Sequence, residues 1–269
     1  MAMRMGAFIP IRLDSERLPA KSLKPAAGRP ILYHLLDRAA ACPLITDVKD
    51  IVICTTPDAV DDPLVDAVEA YGASVFRGDK DDLIKRFKDA KDAFGFDYVL
   101  QIDGDDPLVD PDYMGMTLQA LIDDPSLDAC TTVGLPFGIN VKSFTANAMD
   151  KVFAAYKSHA NDTGFALYFI QSDLCVCKKI APVQFDHVLD EARLTLDYVE
   201  DLTVFQKILD ALYKPGPPAS IADINAFLRA HPEIMAINNG LQESYMERSR
   251  AKVDLEYVDP DGAVRRIDY

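Results

Sequence analysis

Residues 9–24 read Ile9-Pro10-Ile11-Arg12-Leu13-Asp14-Ser15-Glu16-Arg17-Leu18-Pro19-Ala20-Lys21-Ser22-Leu23-Lys24. The apolar run Ala7–Ile11 stops abruptly at Arg12, and helical periodicity resumes only after Pro30, which predicts strand, loop, helix. From Arg12 to Arg29 the chain carries five basic residues against two acidic ones, inside a protein of net charge −15. A basic loop in an acidic protein suits an anion. At the carboxyl end of a first strand, where open α/β sheets bind ligands, it reads as a polyphosphate cradle of arginine forks and a lysine point charge. It is neither a Walker A loop nor a dinucleotide fingerprint, because G-x-x-x-x-G-K-[ST] is absent and Gly28 is its only glycine. The competing reading is a solvated surface loop.

Outward from this stretch, strands and helices alternate. Helical stripes run through Ile31–Ala39, Leu64–Tyr71, Asp82–Phe94 and Met114–Ile122, with Asp62-Pro63 and Asp110-Pro111 as cap-plus-proline starts. Between them Ile51–Cys54, Ala73–Phe76 and Tyr98–Ile102 read as short buried strands. This βαβα order predicts a three-layer α/β/α, mostly parallel Rossmann-like sheet with its loops at one edge. The second half is more mixed: strands at Asp128–Val133, Val141–Phe144 and Arg193–Leu196, a strand-rich stretch at Phe165–Cys177, and helices at Asn147–Tyr156, Glu200–Leu212, Ser220–Leu228 and from Pro232. Leu255–Tyr269 reads as a hairpin around Asp259-Pro260-Asp261-Gly262. The expected division is a main domain over 1–240 and a tail of helix and hairpin over 241–269.

Length and composition fit this reading. The 269 residues, 49% hydrophobic and 26% charged, suffice for a sizeable core. Strong acidity argues against nucleic acid and anionic membranes as partners, since both need basic surfaces. Five cysteines, an odd number without C-x-x-C spacing, read as reduced and mostly buried thiols of a cytoplasmic protein. The N-terminus lacks the longer apolar core of a signal peptide, and no apolar run approaches the ~18 residues of a membrane span.

Two acidic stretches carry further chemistry. In Gln101-Ile102-Asp103-Gly104-Asp105-Asp106-Pro107, three carboxylates at a strand's end repel one another unless a cation, basic residues or water compensates. Magnesium suits that place, since it takes one or two carboxylates plus substrate phosphates; a solvated acidic turn is the plain alternative. In Arg193-Leu194-Thr195-Leu196-Asp197-Tyr198-Val199-Glu200-Asp201-Leu202, dipole complementarity at a helix start accounts for Glu200 and Asp201 better than for Asp197.

These three stretches together resemble the cytidylyltransferases that activate acidic sugars, the family of CMP-Kdo synthetase and of the spore-coat polysaccharide biosynthesis protein F group. Arg12–Leu23 resembles R-x-x-S-x-R-L-P-x-K-x-L, Gly104–Pro111 resembles G-D-x-P-x-I/V-x-P, and Arg193–Leu202 resembles R-L-T-L/V-D-T-P-E-D-L. The resemblance implies that Arg12, Ser15, Arg17 and Lys21 wrap the triphosphate of CTP, with Arg12, Arg17 and Lys21 catalytic. It places Arg77 where relatives read the base, and makes Asp105 and Asp197 the ligands of one Mg²⁺. Tyr198-Val199 replaces the usual Thr-Pro. Phe137–Val141 and His159–Leu167 depart from the family pattern on the side that faces the acceptor, where His159 and His187 are candidates to touch it.

The implied activity is transfer of a cytidylyl group from CTP to an acidic sugar or related acceptor, releasing pyrophosphate, for surface polysaccharide or glycan biosynthesis. Family habit also implies a homodimer. Two rivals remain at this point: a metal-dependent glycosyltransferase using Asp103-Gly104-Asp105 as its D-x-D, and a non-catalytic nucleotide-binding module. The long basic loop disfavours the first, because diphosphate sugar donors need no such loop. Retention of Lys21 and both aspartates disfavours the second.

Overall fold

The computed structural model describes residues 3–267; Met1, Ala2, Asp268 and Tyr269, the outermost positions of the N-terminal and hairpin readings, lie outside the described residues. β1 (Met5–Pro10) leads through the basic loop to a small antiparallel pair, β2 (Pro25–Ala26) and β3 (Arg29–Pro30), and then to α1 (Ile31–Ala40). The alternation continues with β4 (Ile51–Thr55), α2 (Asp62–Tyr71), β5 (Ser74–Arg77), α3 (Leu83–Phe94), β6 (Tyr98–Gln101) and α4 (Pro111–Asp123). The second half supplies β7 (Ala129–Thr132), β8 (Lys142–Thr145), α5 (Ala146–Ala155), α6 (Leu167–Ile170) and β9 (Cys177–Ile180). Helices α7 (Val199–Leu212), α8 (Ile221–Ala230), α9 (Pro232–Met235) and α10 (Gln242–Lys252) follow, and the hairpin of β10 (Leu255–Val258) and β11 (Val264–Ile267) ends the chain.

Among the described residues the main sheet has seven strands in the order β5-β4-β1-β6-β8-β7-β9. β8 alone runs against the others, being antiparallel to both β6 and β7. Side-chain alternation makes three layers: Ala7, Ile9, Ile51, Ile53 and Leu100 enter one core, while Phe8, Val52, Cys54 and Val99 enter the other. The first core is closed by the apolar stripes of α1, α2, α4, α7 and α8. The second is closed by α3, α5, α6 and the terminal hairpin, whose Leu255, Tyr257 and Ile267 are buried in it. Phe8 meets Phe87 edge-on at 5.4 Å between ring centroids, and burying each such side chain contributes about 1.5–3 kcal/mol.

The structure corrects several local expectations. Phe165–Ile170 is not a strand: residues 167–170 form α6, and Leu167, Tyr168 and Phe169 are all buried. A short apolar run carries no period to separate helix from strand. Cys175 lies ahead of β9, which begins at Cys177. Arg193–Leu196 is not a strand either; Arg193 makes one isolated bridge to Phe137, and Leu196 N–H donates to the Asp105 carbonyl at 2.7 Å. Asp62 is already inside α2, and Asp61 ahead of it gives its carboxylate to Leu13 N–H, Thr55 and Thr56 rather than to the helix. All five cysteines are free thiols. No helix among the described residues is long and apolar enough to cross a membrane.

Topology fixes where a ligand can go. Chain order runs outward from β1 to β4 and β5 on one side and resumes with β6 on the other, so the switch point lies between the carboxyl ends of β1 and β6. The basic loop leaves β1 there. The acidic stretch leaves β6 beside it.

Candidate active site

The basic loop is fixed by its apolar residues so that its polar ones can face inward. Leu13 and Leu18 are buried in the first core, Ala20 N–H closes on the Leu13 carbonyl at 3.0 Å, and buried Asp61 takes the Leu13 N–H at 2.7 Å. Ala20, in the left-handed region at φ 52°, then turns the chain into a single 3-10 turn that carries Lys21 inward. Across the switch point, Gly104 is required by close approach. A Cβ there would stand 2.4 Å from the Pro10 carbonyl oxygen and 2.3 Å from Ile11 Cγ1, so any other residue pushes the loop after β6 off the end of β1.

Asp197 arrives from a third direction and is buried. Arg193, one of the largest wholly buried side chains, donates to Asp201 at 3.0 Å and to Asp197 at 3.4 Å. Asp201 in turn accepts the Asp197 and Tyr198 N–H groups at 2.9 Å each and the Asn238 amide at 2.8 Å. Asp201 is therefore a buried anchor for the backbone that presents Asp197. Gly138 admits this segment, since at φ +94° a Cβ would sit 2.1 Å from the Leu194 carbonyl oxygen.

These pieces meet around one ammonium. Lys21 Nζ donates to Asp105 Oδ2 at 3.1 Å and to Asp197 Oδ1 at 3.0 Å, so the two oxygens are no farther apart than those two contacts laid end to end. Arg17 also reaches Asp197 Oδ1, at 2.7 Å, with its guanidinium over the Tyr198 ring. Burial pushes the Lys21 ammonium down, but the charges of Asp105 and Asp197 outweigh it and hold Lys21 above the usual lysine value. Burial likewise raises Asp105, with Lys21 opposing and neighbouring carboxylates adding to the rise. For Asp197 the same burial is overcome by Lys21 and Arg17, and its carboxyl stays below the usual range.

Asp103 stands apart from this group. Its oxygens take Lys142 Nζ and Gln101 Nε2, each at 2.7 Å, so Asp103 and Asp105 serve different cations rather than one. Asp106 is buried with one oxygen unpartnered, and burial beside Asp105 and Asp103 lifts it well above the usual carboxyl value.

Arg12 and Ser15 line the same cleft, whose volume of about 690 Å³ lies within the ~300–1,000 Å³ usual for small-molecule sites. Arg12 is paired with Asp14 at 3.2 Å and with Asp162 at 2.9 Å. Five loop and acidic residues of the sequence reading thus converge with Asp197: Arg12, Ser15, Arg17, Lys21 and Asp105. Arg77 does not join them; it is ion-paired with Asp62 and absent from the cleft lining. Neither His159 nor His187 lines the cleft, for His159 bonds Asp82 at 2.8 Å and His187 bonds the Tyr113 hydroxyl at 2.9 Å. Sequence reasoning missed Lys142, because nothing local tells that β8 will insert antiparallel beside β6. It also missed Tyr245, Arg248 and Lys252 of α10, which line the far side.

Among the described residues no group of three or more His, Cys, Asp or Glu is arranged to hold a metal. Two carboxylates converging on one cation do fit a magnesium ion completed by phosphate and water, with Lys21 standing in for the charge.

A mostly parallel sheet whose switch-point cleft gathers a basic loop against paired aspartates has the α/β architecture of nucleotidyltransferases. The particular family follows from sequence: the family profile described as Cytidylyltransferase matches residues 7–205, and the chain belongs to that family. A 3-deoxy-manno-octulosonate cytidylyltransferase of Yersinia pseudotuberculosis is 31% identical over 182 residues, 64% of this chain and 64% of that protein. An uncharacterized protein of Methanocaldococcus jannaschii is 27% identical over 91% of this chain and 99% of its own length. Among solved structures, a cytidylyltransferase from Leptospira borgpetersenii superposes with a TM-score of 0.77 at 23% identity, covering 87% of this chain and 97% of that one. CMP:2-keto-3-deoxy-manno-octonic acid synthetase complexed with CTP superposes with a TM-score of 0.60 at 16% identity, covering 77% and 98%. These last two likenesses are of fold.

Proposed function

We propose that the chain transfers CMP from CTP to a hydroxyl of an acidic sugar or a related small acceptor, releasing pyrophosphate, in the making of a surface polysaccharide or other glycan. The observation that carries this reading is Lys21 reaching Asp105 and Asp197 together at the switch point, beside Arg12 and Arg17. The names of relatives similar to this chain point the same way, and Asp103 meets Lys142 and Gln101 rather than sharing a cation with Asp105, which favours this reading over a D-x-D pair.

In the reaction, the acceptor oxygen bonds to the α-phosphorus while the bond from that phosphorus to the bridging oxygen breaks, and the hydroxyl proton passes to cleft water. Such chemistry asks for positioning and charge compensation more than for covalent help. Arg12, Arg17 and Lys21 exchange their carboxylate partners for phosphate oxygens and hold the leaving pyrophosphate as its charge grows. Arg193 and Asp201 keep Asp197 in place without touching substrate. Asp105 and Asp197 would hold Mg²⁺, which supplies charge neutralisation at the phosphate and acidifies the attacking hydroxyl.

The test is to incubate the protein with each of the four nucleoside triphosphates, Mg²⁺ and a panel of acidic sugars, and to follow pyrophosphate. Release with CTP and a sugar acid is expected. Acceptor-dependent release with another nucleotide alone would overturn the base assignment. The chain is further proposed to act as a homodimer. Light scattering on the full chain should give twice the 29.7 kDa of one chain, and a monomeric mass would end that idea.

A further inference from the structure

Helix α10 lies beyond the matched family segment, yet it forms one wall of the cleft. Its contributions, Tyr245, Arg248, Ser249 and Lys252, follow the i, i+3, i+4, i+7 spacing of a single helix face. On an ordinary amphipathic helix that stripe is apolar and buried. In α10 it is cationic and aromatic, and it faces a cavity.

The helix is tied to the catalytic group rather than loosely laid over it. Gln242 Oε1 accepts from Arg193 at 3.0 Å, and the Tyr245 ring lies 4.7 Å from the Arg193 guanidinium and 5.5 Å, edge-on, from Phe137. Arg248 sits over the Tyr198 ring at 5.1 Å and donates to its hydroxyl. Phe137 and Tyr198 are positions at which the sequence departs from the pattern of the resembling family, so these departures and α10 occupy one place.

Charge partners separate two sets of cations in the cleft. Arg12, Arg17, Lys21 and Lys142 are paired with carboxylates of the cleft, Lys80 with Asp58, and Arg86 is spent on the carbonyls of Cys54, Asp79 and Lys80. Among the described residues no carboxylate pairs with Arg248 or with Lys252. Arg248 donates only to neutral oxygens, from Nε to the Ser244 carbonyl at 3.0 Å and from Nη2 to the Tyr198 hydroxyl, so its charge is not neutralised. In a chain of net charge −15, two cations without a carboxylate partner on the wall of a substrate cleft are a site for an anion.

We propose that α10 is the acceptor-recognition element, its Arg248 and Lys252 binding the anionic group of the acceptor while Tyr245 flanks the sugar. This rests on the cytidylyltransfer reading above and adds that the acceptor's charge is read from outside the matched family segment. The anion is a sugar carboxylate or a sugar phosphate, which share the charge and the oxygen geometry that a guanidinium and an ammonium bind.

Calorimetry on the full chain, saturated with a CTP analogue carrying a methylene between its α- and β-phosphorus atoms, separates the sources. The probes are 3-deoxy-manno-octulosonate for carboxylate, glucose 1-phosphate for phosphate, and glucose as the neutral comparison. One of the two anions should bind and glucose should not. Arg248→Ala and Lys252→Ala should each weaken that anion about tenfold, with Arg248→Lys recovering part of the loss, while affinity for the CTP analogue stays within about twofold. Both side chains are exposed, so unchanged thermal midpoints are expected. Binding of neither anion to the parent, unchanged anion affinity in the Arg248→Ala/Lys252→Ala double variant, or parallel loss of the CTP analogue would each overturn the proposal. Lys21→Ala in the same cell tests the underlying reading separately. If it leaves the CTP analogue unaffected, the nucleotide assignment fails whatever α10 does.

Discussion

Lys21→Ala is expected to lower kcat/KM roughly thirty- to a thousandfold, about 2–4 kcal/mol of transition-state stabilisation. Among the described residues the ammonium is the one group that touches both Asp105 and Asp197, at 3.1 and 3.0 Å, and it belongs to the loop that would wrap the triphosphate. Its removal leaves Asp105 and Asp197 facing each other without the charge between them. The loss therefore has a stability component. Breaking a wholly buried pair costs about 3–5 kcal/mol; with the Lys21 side chain 16% exposed and Asp105 28%, a loss of about 2–3 kcal/mol is expected. Denaturant melts of parent and variant measure that part, and Mg²⁺ should raise the midpoint of the variant more than that of the parent by restoring a cation. Turnover within a fewfold of the parent would show that the loop is not the phosphate cradle.

The basic loop and Asp105 of the cleft are legible in the sequence because each is a local pattern. Arg12–Lys21 announces itself by a charge reversal after an apolar run, and Asp105 sits where that pattern ends a strand. Asp197 came from a motif, and the structure supplies what the motif could not: Arg193 and Asp201, buried beneath it, hold its backbone. Arg193–Leu196 reads as a strand because Leu194, Thr195 and Leu196 are apolar or β-branched. Its partners are the Phe137 and Asp105 carbonyls, contacts across more than fifty residues that no window of sequence contains. Lys142 was invisible for the same reason, since its place beside Asp103 depends on the reversed direction of β8. A helix in the tail is expected from the sequence, but the place of α10 on the cleft wall is hard to read because its inward stripe is polar. A periodicity search looks for buried apolar faces, and a helix that turns charges toward a cavity presents none.

Asp105→Asn and Asp197→Asn should each cut kcat/KM by on the order of 10³-fold or more, and the double variant should be hardly worse than either. The two residues are 92 positions apart and arrive from different sides of the switch point, yet both close on Lys21 Nζ. Groups that act on one cation and one phosphate fail as a unit, because either loss already disperses the arrangement; independent groups would multiply to on the order of 10⁶-fold. Asp103→Asn is the internal comparison. Its oxygens are held by Lys142 and Gln101, so a loss under about tenfold is expected. Asp197 also anchors Arg17, and its substitution lowers stability as well as rate. Thermal melts should show that loss for Asp197→Asn in excess of Asp105→Asn, while Mg²⁺ titrations in the presence of CTP lose affinity equally in both. Multiplicative rate effects, or magnesium affinity lost in one variant and kept in the other, would separate the two aspartates and refute a shared ion.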